Sequence, residues 1–181
     1  ELSPEAQLIG AVNTVLNDNG KLIGYNTDGY GFMQSVRDAG HDITGKNITV
    51  MGVGGASMAI CAQSALDGAA SVHIFARRTS RYWNRTQKFA ENLSAKTGCQ
   101  VCLFDNDDHT ALRDSIAQSY LLINATSVGM VPDIDDTIIK DTSLFHPELV
   151  VADVVYEPQE TRLLREAKAA GCQTFNGMYM L

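Results

Sequence analysis

Gly52-Val53-Gly54-Gly55-Ala56-Ser57 is the segment whose residue types and spacing speak most directly of chemistry. It follows an apolar run at Asn47–Met51 and opens an apolar-periodic stretch, the strand–turn–helix setting that a phosphate loop needs. Gly52 permits a tight turn out of the strand, and Gly54 lets backbone approach a pyrophosphate with no Cβ in the way. The following helix would aim free N–H groups and its positive dipole end at that anion. Ser57 stands where a third glycine is usual, and it is small enough for close helix–strand packing. A ligand-free glycine turn is the plainer reading; the flanking strand and helix argue against it.

After the next apolar run, at 71–75, comes Ala76-Arg77-Arg78-Thr79-Ser80-Arg81. A site for NAD places Asp or Glu here to accept hydrogen bonds from the ribose 2′-hydroxyl. This chain has no carboxylate in the segment. Three guanidiniums and two hydroxyls suit a 2′-phosphate instead, so NADP is favoured over NAD, with dual use left open. A merely solvated basic helix start is the alternative, and cations oppose the dipole at that end. A third segment, Asn26-Thr27-Asp28-Gly29, reads on spacing alone as a turn in which Asp28 caps the next helix. Its functional reading places a carboxylate at the mouth of an interdomain cleft.

The elements that must position these groups fall into two zones. Residues 10–28 read as a hairpin turning at Asn17-Asp18-Asn19-Gly20, too short to bury an apolar face alone and so expected to join a larger sheet upstream. From Gly31 the rhythm alternates. Helices are expected at 32–39, 57–67, 82–96, 110–118 and 161–170, and strands at 47–51, 71–75, 101–104, 121–124, 150–154 and 173–175. Strands separated by such helices mean βαβ units, hence an α/β doubly wound parallel sheet of Rossmann type. The expected division is 1–30 as the remnant of a substrate-binding domain and 31–181 as the NADP-binding domain.

Bulk properties exclude other classes. The 181 residues carry a net charge of −7, which speaks against a nucleic-acid partner. No run approaches the roughly 20 apolar residues of a membrane span. Cysteines at 61, 99, 102 and 172 are too few and scattered for a disulfide scaffold, so a reducing, cytoplasmic location is expected. Cys99-Gln-Val-Cys102 has zinc-knuckle spacing without a second ligand pair and reads as plain thiols opening a strand. The four histidines show no ligand spacing, so no metal is expected. Trp83 reads as a packing residue. The chain begins without methionine, and a fragment of a longer protein is expected.

Five segments in register resemble the shikimate dehydrogenase family. They are Gly10-Ala11-Val12-Asn13-Thr14-Val15 paired with Gly24-Tyr25-Asn26-Thr27-Asp28-Gly29; the glycine loop; Asn124-Ala125-Thr126-Ser127-Val128-Gly129-Met130; Asp153-Val154-Val155-Tyr156; and Asn176-Gly177-Met178-Tyr179-Met180-Leu181. The resemblance implies NADPH-dependent reduction of 3-dehydroshikimate to shikimate, a step of aromatic amino-acid synthesis. It implies that Asn13 and Asp28 hold ring hydroxyls, that Asp28 also partners a lysine acting as general acid/base, and that Tyr156 lines the substrate pocket. It places the cofactor on Gly52, Val53, Gly54, Gly55, Ala56, Arg77 and Arg81, with Val154, Gly177 and Met180 near the nicotinamide. Contact by Ser127 and Met130 is left even.

Departures sharpen the expectation. The family's Ser-x-Ser motif, its catalytic lysine and its C-terminal helix are absent, and neither Lys21 nor Lys46 sits in the lysine's motif. Ala76 replaces a common Asn, and Tyr179 stands where Gly is usual. The long stretch from Arg81 to Phe104 is closer to the quinate/shikimate branch, so quinate with NAD or NADP is an alternative. A nucleotide-binding module without catalysis, and another Rossmann reductase, are further alternatives; neither needs the Asn13 and Asp28 pair. Oligomeric state is not readable.

Overall fold

In the computed structural model, which describes residues 1–180, the chain begins with helix α1 (Pro4–Ile9). Ser3 caps it, Pro4 occupies its first turn and Gly10 ends it in left-handed conformation. The hairpin follows as β1 (Thr14–Asp18) and β2 (Lys21–Tyr25), antiparallel with Asp18 opposite Lys21. It forms its own two-stranded sheet, with Val15 61 % and Leu22 58 % exposed.

The remaining strands build one parallel sheet: β3 (Asn47–Met51), β4 (Ser71–Ala76), β5 (Gln100–Asp105), β6 (Leu121–Asn124), β7 (Val150–Asp153) and β8 (Gln173–Asn176). Their order is β5-β4-β3-β6-β7-β8. The chain winds outward from β3 to β5, then restarts at β6 and winds the other way. The β3/β6 junction is therefore the topological switch point, where open α/β sheets bind ligands at the carboxyl ends of their strands. The central strands are buried on both faces because helices cover both, and their continuous apolar runs, such as Leu121-Leu122-Ile123, follow from that.

Helices α2 (Asp28–Asp38), α3 (Gly55–Leu66) and α4 (Trp83–Thr97) pack with one core, which includes Phe32, Met33, Ile60, Ile74 and Ile123. Helices α5 (His109–Gln118) and α6 (Arg162–Ala169) cover the other face, around Met51, Phe75, Ile116 and Val151. Thr49, the polar residue in the middle of β3, bonds the hydroxyls of Ser115 and Ser119 on α5 at 2.6 and 2.7 Å, so its burial leaves no orphan. Two 3₁₀ turns, Thr142–Leu144 and Gly177–Met180, complete the chain.

Helix α2 begins at Asp28, four residues before the expected start at 32. Gly29 and Gly31 thus lie inside a helix, where propensity disfavours them. Tertiary contact overrides that preference. A Cβ at Gly29 would run into the backbone carbonyl of Ala59 on α3, and one at Gly31 into the carbonyl of Met180. The glycines are what lets α2 lie this close to its neighbours.

Candidate functional site

The glycine loop leaves β3 at the switch point. Gly52 takes φ +110°, and its N–H donates to Phe75 on β4 at 2.8 Å. Ser57 is fully buried and donates its hydroxyl to the Gly52 carbonyl at 2.6 Å, pinning the turn to the first turn of α3. Ser3, Asp108 and Thr161 cap α1, α5 and α6 with side-chain oxygens, whereas α2, α3 and α4 have no side-chain cap, and α3 begins at Gly55 with no acidic residue in its first turn. Its N–H donors are left for another acceptor. A Cβ at Gly54 or Gly55 would meet no protein atom; both backbones face open space.

That space is a cavity of about 870 Å³. Gly52, Val53 and Gly54 form its floor; Arg77, Thr79, Ser80 and Arg81 close the β4 side; Ala125, Thr126, Ser127 and Val128 close the β6 side. Gly55 lines a smaller space of about 150 Å³ shared with Ile9, Ala11, Met58 and Arg85, while Ala56 lines neither. The dimensions and chemistry fit a dinucleotide: bare amides for a pyrophosphate, guanidiniums for a further phosphate and apolar walls for a base.

The arginines divide their work. Arg77 and Arg81 face the cavity as the sequence suggests. Arg78 does not, because its guanidinium lies over the Trp83 ring, 4.6 Å from the centroid, where cation–π attraction holds it. Two guanidiniums rather than three therefore meet the cavity. Arg81 is partly engaged: it stacks on Tyr82 and donates to the phenol oxygen at 2.6 Å. Arg77 is the freer cation.

A second cavity, of about 450 Å³, shares Thr126 and Ser127 with the first and is lined further by Met130, Val131, Val154, Val155, Tyr156 and Glu157. Val154 and Tyr156 thus meet Ser127 and Met130 here. Gly177 and Met180 line neither of these two cavities: Gly177 abuts the carbonyl of Val154, and Met180 packs against the core. Leu181 lies outside the described residues.

The loops lining both cavities are tied by one buried carboxylate. Asp153, fully buried at the end of β7, accepts from Asn124 Nδ2 (3.0 Å), Val155 N (3.0 Å) and Thr161 Oγ1 (2.8 Å). Asn124 in turn accepts from the Thr126 amide and hydroxyl and donates to the Val128 carbonyl. Burial pushes the Asp153 carboxyl up to about 6, against the pull of its three donors.

Asn13 and Asp28, fifteen residues apart, do meet: Asn13 Nδ2 donates to Asp28 Oδ1 at 2.7 Å. The capping expectation for Asp28 fails. It is the first residue of α2, and Asn26 makes the local turn by accepting the Asp28 amide at 3.2 Å. Its carboxylate is instead turned to Asn13, and Oδ2 has no partner among the described residues. No lysine pairs with it among the described residues: Lys21 pairs with Glu1, and Lys46 lies over Tyr120.

Sequence reasoning missed Tyr82, Asn106, Ile138 and Arg85 as cavity residues. Asn106 carries one signal, its position just past a parallel strand's carboxyl end. The cysteines remain free thiols, and burial pushes Cys61 up to about 12 and Cys99 up to about 11, so neither is a ready nucleophile.

Fold, switch-point cavity and uncapped helix start define a Rossmann-type α/β domain with a glycine loop at its switch point. No protein-family model matches the chain. All 181 residues, however, align at 50 % identity with a shikimate dehydrogenase (NADP(+)) of Listeria innocua, and at 42 % with a quinate/shikimate dehydrogenase of Escherichia coli. The crystal structure of shikimate 5-dehydrogenase from Listeria monocytogenes, in complex with shikimate and NAD, superposes with a TM-score of 0.96 at 49 % identity, covering 99 % of this chain and 62 % of that one. Along its whole length the chain is thus homologous to shikimate dehydrogenases. It spans 62 % of the length of these curated relatives.

Proposed function

We propose that this chain holds NADP and supplies the cofactor side of a dehydrogenase interconverting 3-dehydroshikimate and shikimate. One observation carries the cofactor reading: the 870 Å³ cavity joins the bare α3 N-terminus to Arg77 and Arg81, with no carboxylate at the end of β4 where a 2′-hydroxyl would need one. On this reading residues 31–181 form the cofactor domain and residues 1–30 belong to the substrate side.

When bound, reduced nicotinamide supplies the hydride for the substrate's ketone. This chain's own residues bind and orient. Asn13 holds Asp28 with one oxygen free to accept from a ring hydroxyl or to place a proton donor. Tyr156 and Ser127 border the cavity next to the cofactor's. A pure nucleotide-binding module has no use for the Asn13–Asp28 pair. Quinate as a second substrate, and NAD as a second cofactor, are supported by the Escherichia coli relative's name and by the NAD in the Listeria structure. The four free thiols support a cytoplasmic setting.

The test is a titration with NADPH, followed by energy transfer from Trp83, the single tryptophan. Saturable quenching is expected; its absence overturns the cofactor reading. Arg77→Ala should weaken NADPH by about ten- to a hundredfold, the scale of a charge-assisted hydrogen bond, and NADH by no more than about threefold. Equal losses would remove the 2′-phosphate role. Because no described lysine pairs with Asp28, shikimate oxidation by these 181 residues alone is expected to be negligible, and robust turnover would sink that expectation.

A further inference from the structure

The carboxyl ends of β3, β4 and β5 present the cavity with three kinds of group in spatial order. The glycine loop follows β3, Arg77 follows β4 and Asn106 follows β5. If the cofactor reading holds, pyrophosphate and ribose phosphate take the first two stations, which leaves the base for the third. The Asn106 amide donates to the Ala76 carbonyl at 2.9 Å, so Asn106 stands directly beside the backbone that leads into Arg77. Ile138, Ala125 and Val128 give the cavity apolar wall, as a purine ring requires.

Asn106 has a feature that packing does not account for. Its side-chain oxygen is shut away from solvent and has no hydrogen-bond donor among the described residues, although the residue itself is only half-buried and borders the cavity. A buried acceptor left unpaired is costly, and buried polar groups in folded proteins are rarely left so. A further cavity that Asn106 borders, of about 460 Å³ with His109, Leu112 and Arg113, offers it no bond either. The terminal torsion of an asparagine is soft, so its carboxamide can turn toward a donor placed in the cavity.

We propose that Asn106 reads the cofactor's base, accepting a hydrogen bond from the exocyclic amine of adenine. A 6-oxo purine has no such amine. It can meet only the carboxamide N–H, which leaves the oxygen unpaired. Discrimination follows from that asymmetry, since a site built to pair a group rejects the analogue that lacks it.

The experiment compares binding of NADPH with binding of its hypoxanthine analogue, in which a 6-oxo group replaces the amine, using the Trp83 energy-transfer signal. The unmodified chain should prefer NADPH by about five- to tenfold, the worth of one net hydrogen bond. Asn106→Leu should abolish that preference, and it removes a polar group that the fold leaves unsatisfied, so folding is not at risk. Asn106→Asp keeps the acceptor and cannot donate; it should retain the preference. Saturable NADPH binding without a preference, or a preference surviving in Asn106→Leu, overturns the assignment of Asn106 and leaves the cofactor reading intact. Failure of NADPH to bind overturns the cofactor reading itself, and this inference with it.

Discussion

Asp153→Ala is expected to lower the unfolding free energy by about 3 kcal/mol at pH 7, while Asp153→Asn becomes steadily more favourable than the parent as pH rises. The alanine removes the acceptor of three donors, from Asn124, Val155 and Thr161, and leaves space behind them. Each buried donor left unpaired costs about 1–3 kcal/mol, partly offset because a buried charge is removed. Asparagine keeps the shape: its oxygen can accept from Asn124 and Val155, and its NH₂ can donate to the Thr161 hydroxyl. What it removes is the charge.

The sign follows from linkage. Burial raises the Asp153 carboxyl from 3.8 to about 6, so between those values the folded chain binds the proton that the unfolded chain has released. Its contribution to stability is fully present below pH 4 and is lost as pH rises through 6, by about 3 kcal/mol in all. Exposed carboxylates with lowered values, at Asp42, Asp136 and Asp141, give the opposite slope, but they do so equally in both proteins and cancel in the difference. Urea unfolding of parent and Asp153→Asn at pH 4.5 and pH 7 measures that difference. A gap that does not change with pH would show that the carboxylate bears no burial penalty.

The contrast between Asp153 and the glycine loop shows what the sequence could and could not convey. The loop was legible because its determinants are local: an apolar strand, two glycines at fixed spacing and a helix start lie within about fifteen consecutive residues. The alternation of strands and helices was legible for the same reason, and it fixes a parallel sheet with a switch point. Asp153 was visible only as part of a segment. Its chemistry depends on Asn124, twenty-nine residues away, and on a burial that no spacing reports. Arg78 is a similar case. Three neighbouring arginines read as equivalent, yet Trp83 on the next helix captures one of them. Gly29 looked like a turn residue because propensity is local, whereas the close approach of α3 is not. The pairing of Asn13 with Asp28 was suggested by resemblance rather than by periodicity, and the geometry supplies its physical content.

Gly52→Ala should show how far the ligand site depends on the crossing at the switch point. Two independent penalties fall on this one methyl group. The backbone at φ +110° is a conformation that residues with a Cβ rarely adopt, at a cost of order 1–3 kcal/mol. The new Cβ would also stand 2.8 Å from the Ala125 carbonyl oxygen and 2.9 Å from the Thr126 methyl, on the loop that follows β6. Those contacts cannot all relax by side-chain motion, since one is backbone anchored by the Ala125 amide bond to Met51 at 2.9 Å. The chain must shift at the switch point, drawing the β3 and β6 loops apart and taking with it the Gly52 carbonyl that Ser57 holds. A loss of about 3 kcal/mol or more in stability is expected, together with at least a hundredfold weaker NADPH binding when measured well below the new melting temperature. Gly54→Ala provides the control: its Cβ meets no protein atom, so it should leave stability within about 1 kcal/mol while still obstructing a phosphate. If Gly52→Ala loses stability but binds NADPH like the parent, the loop is a structural turn and the phosphate does not sit on it.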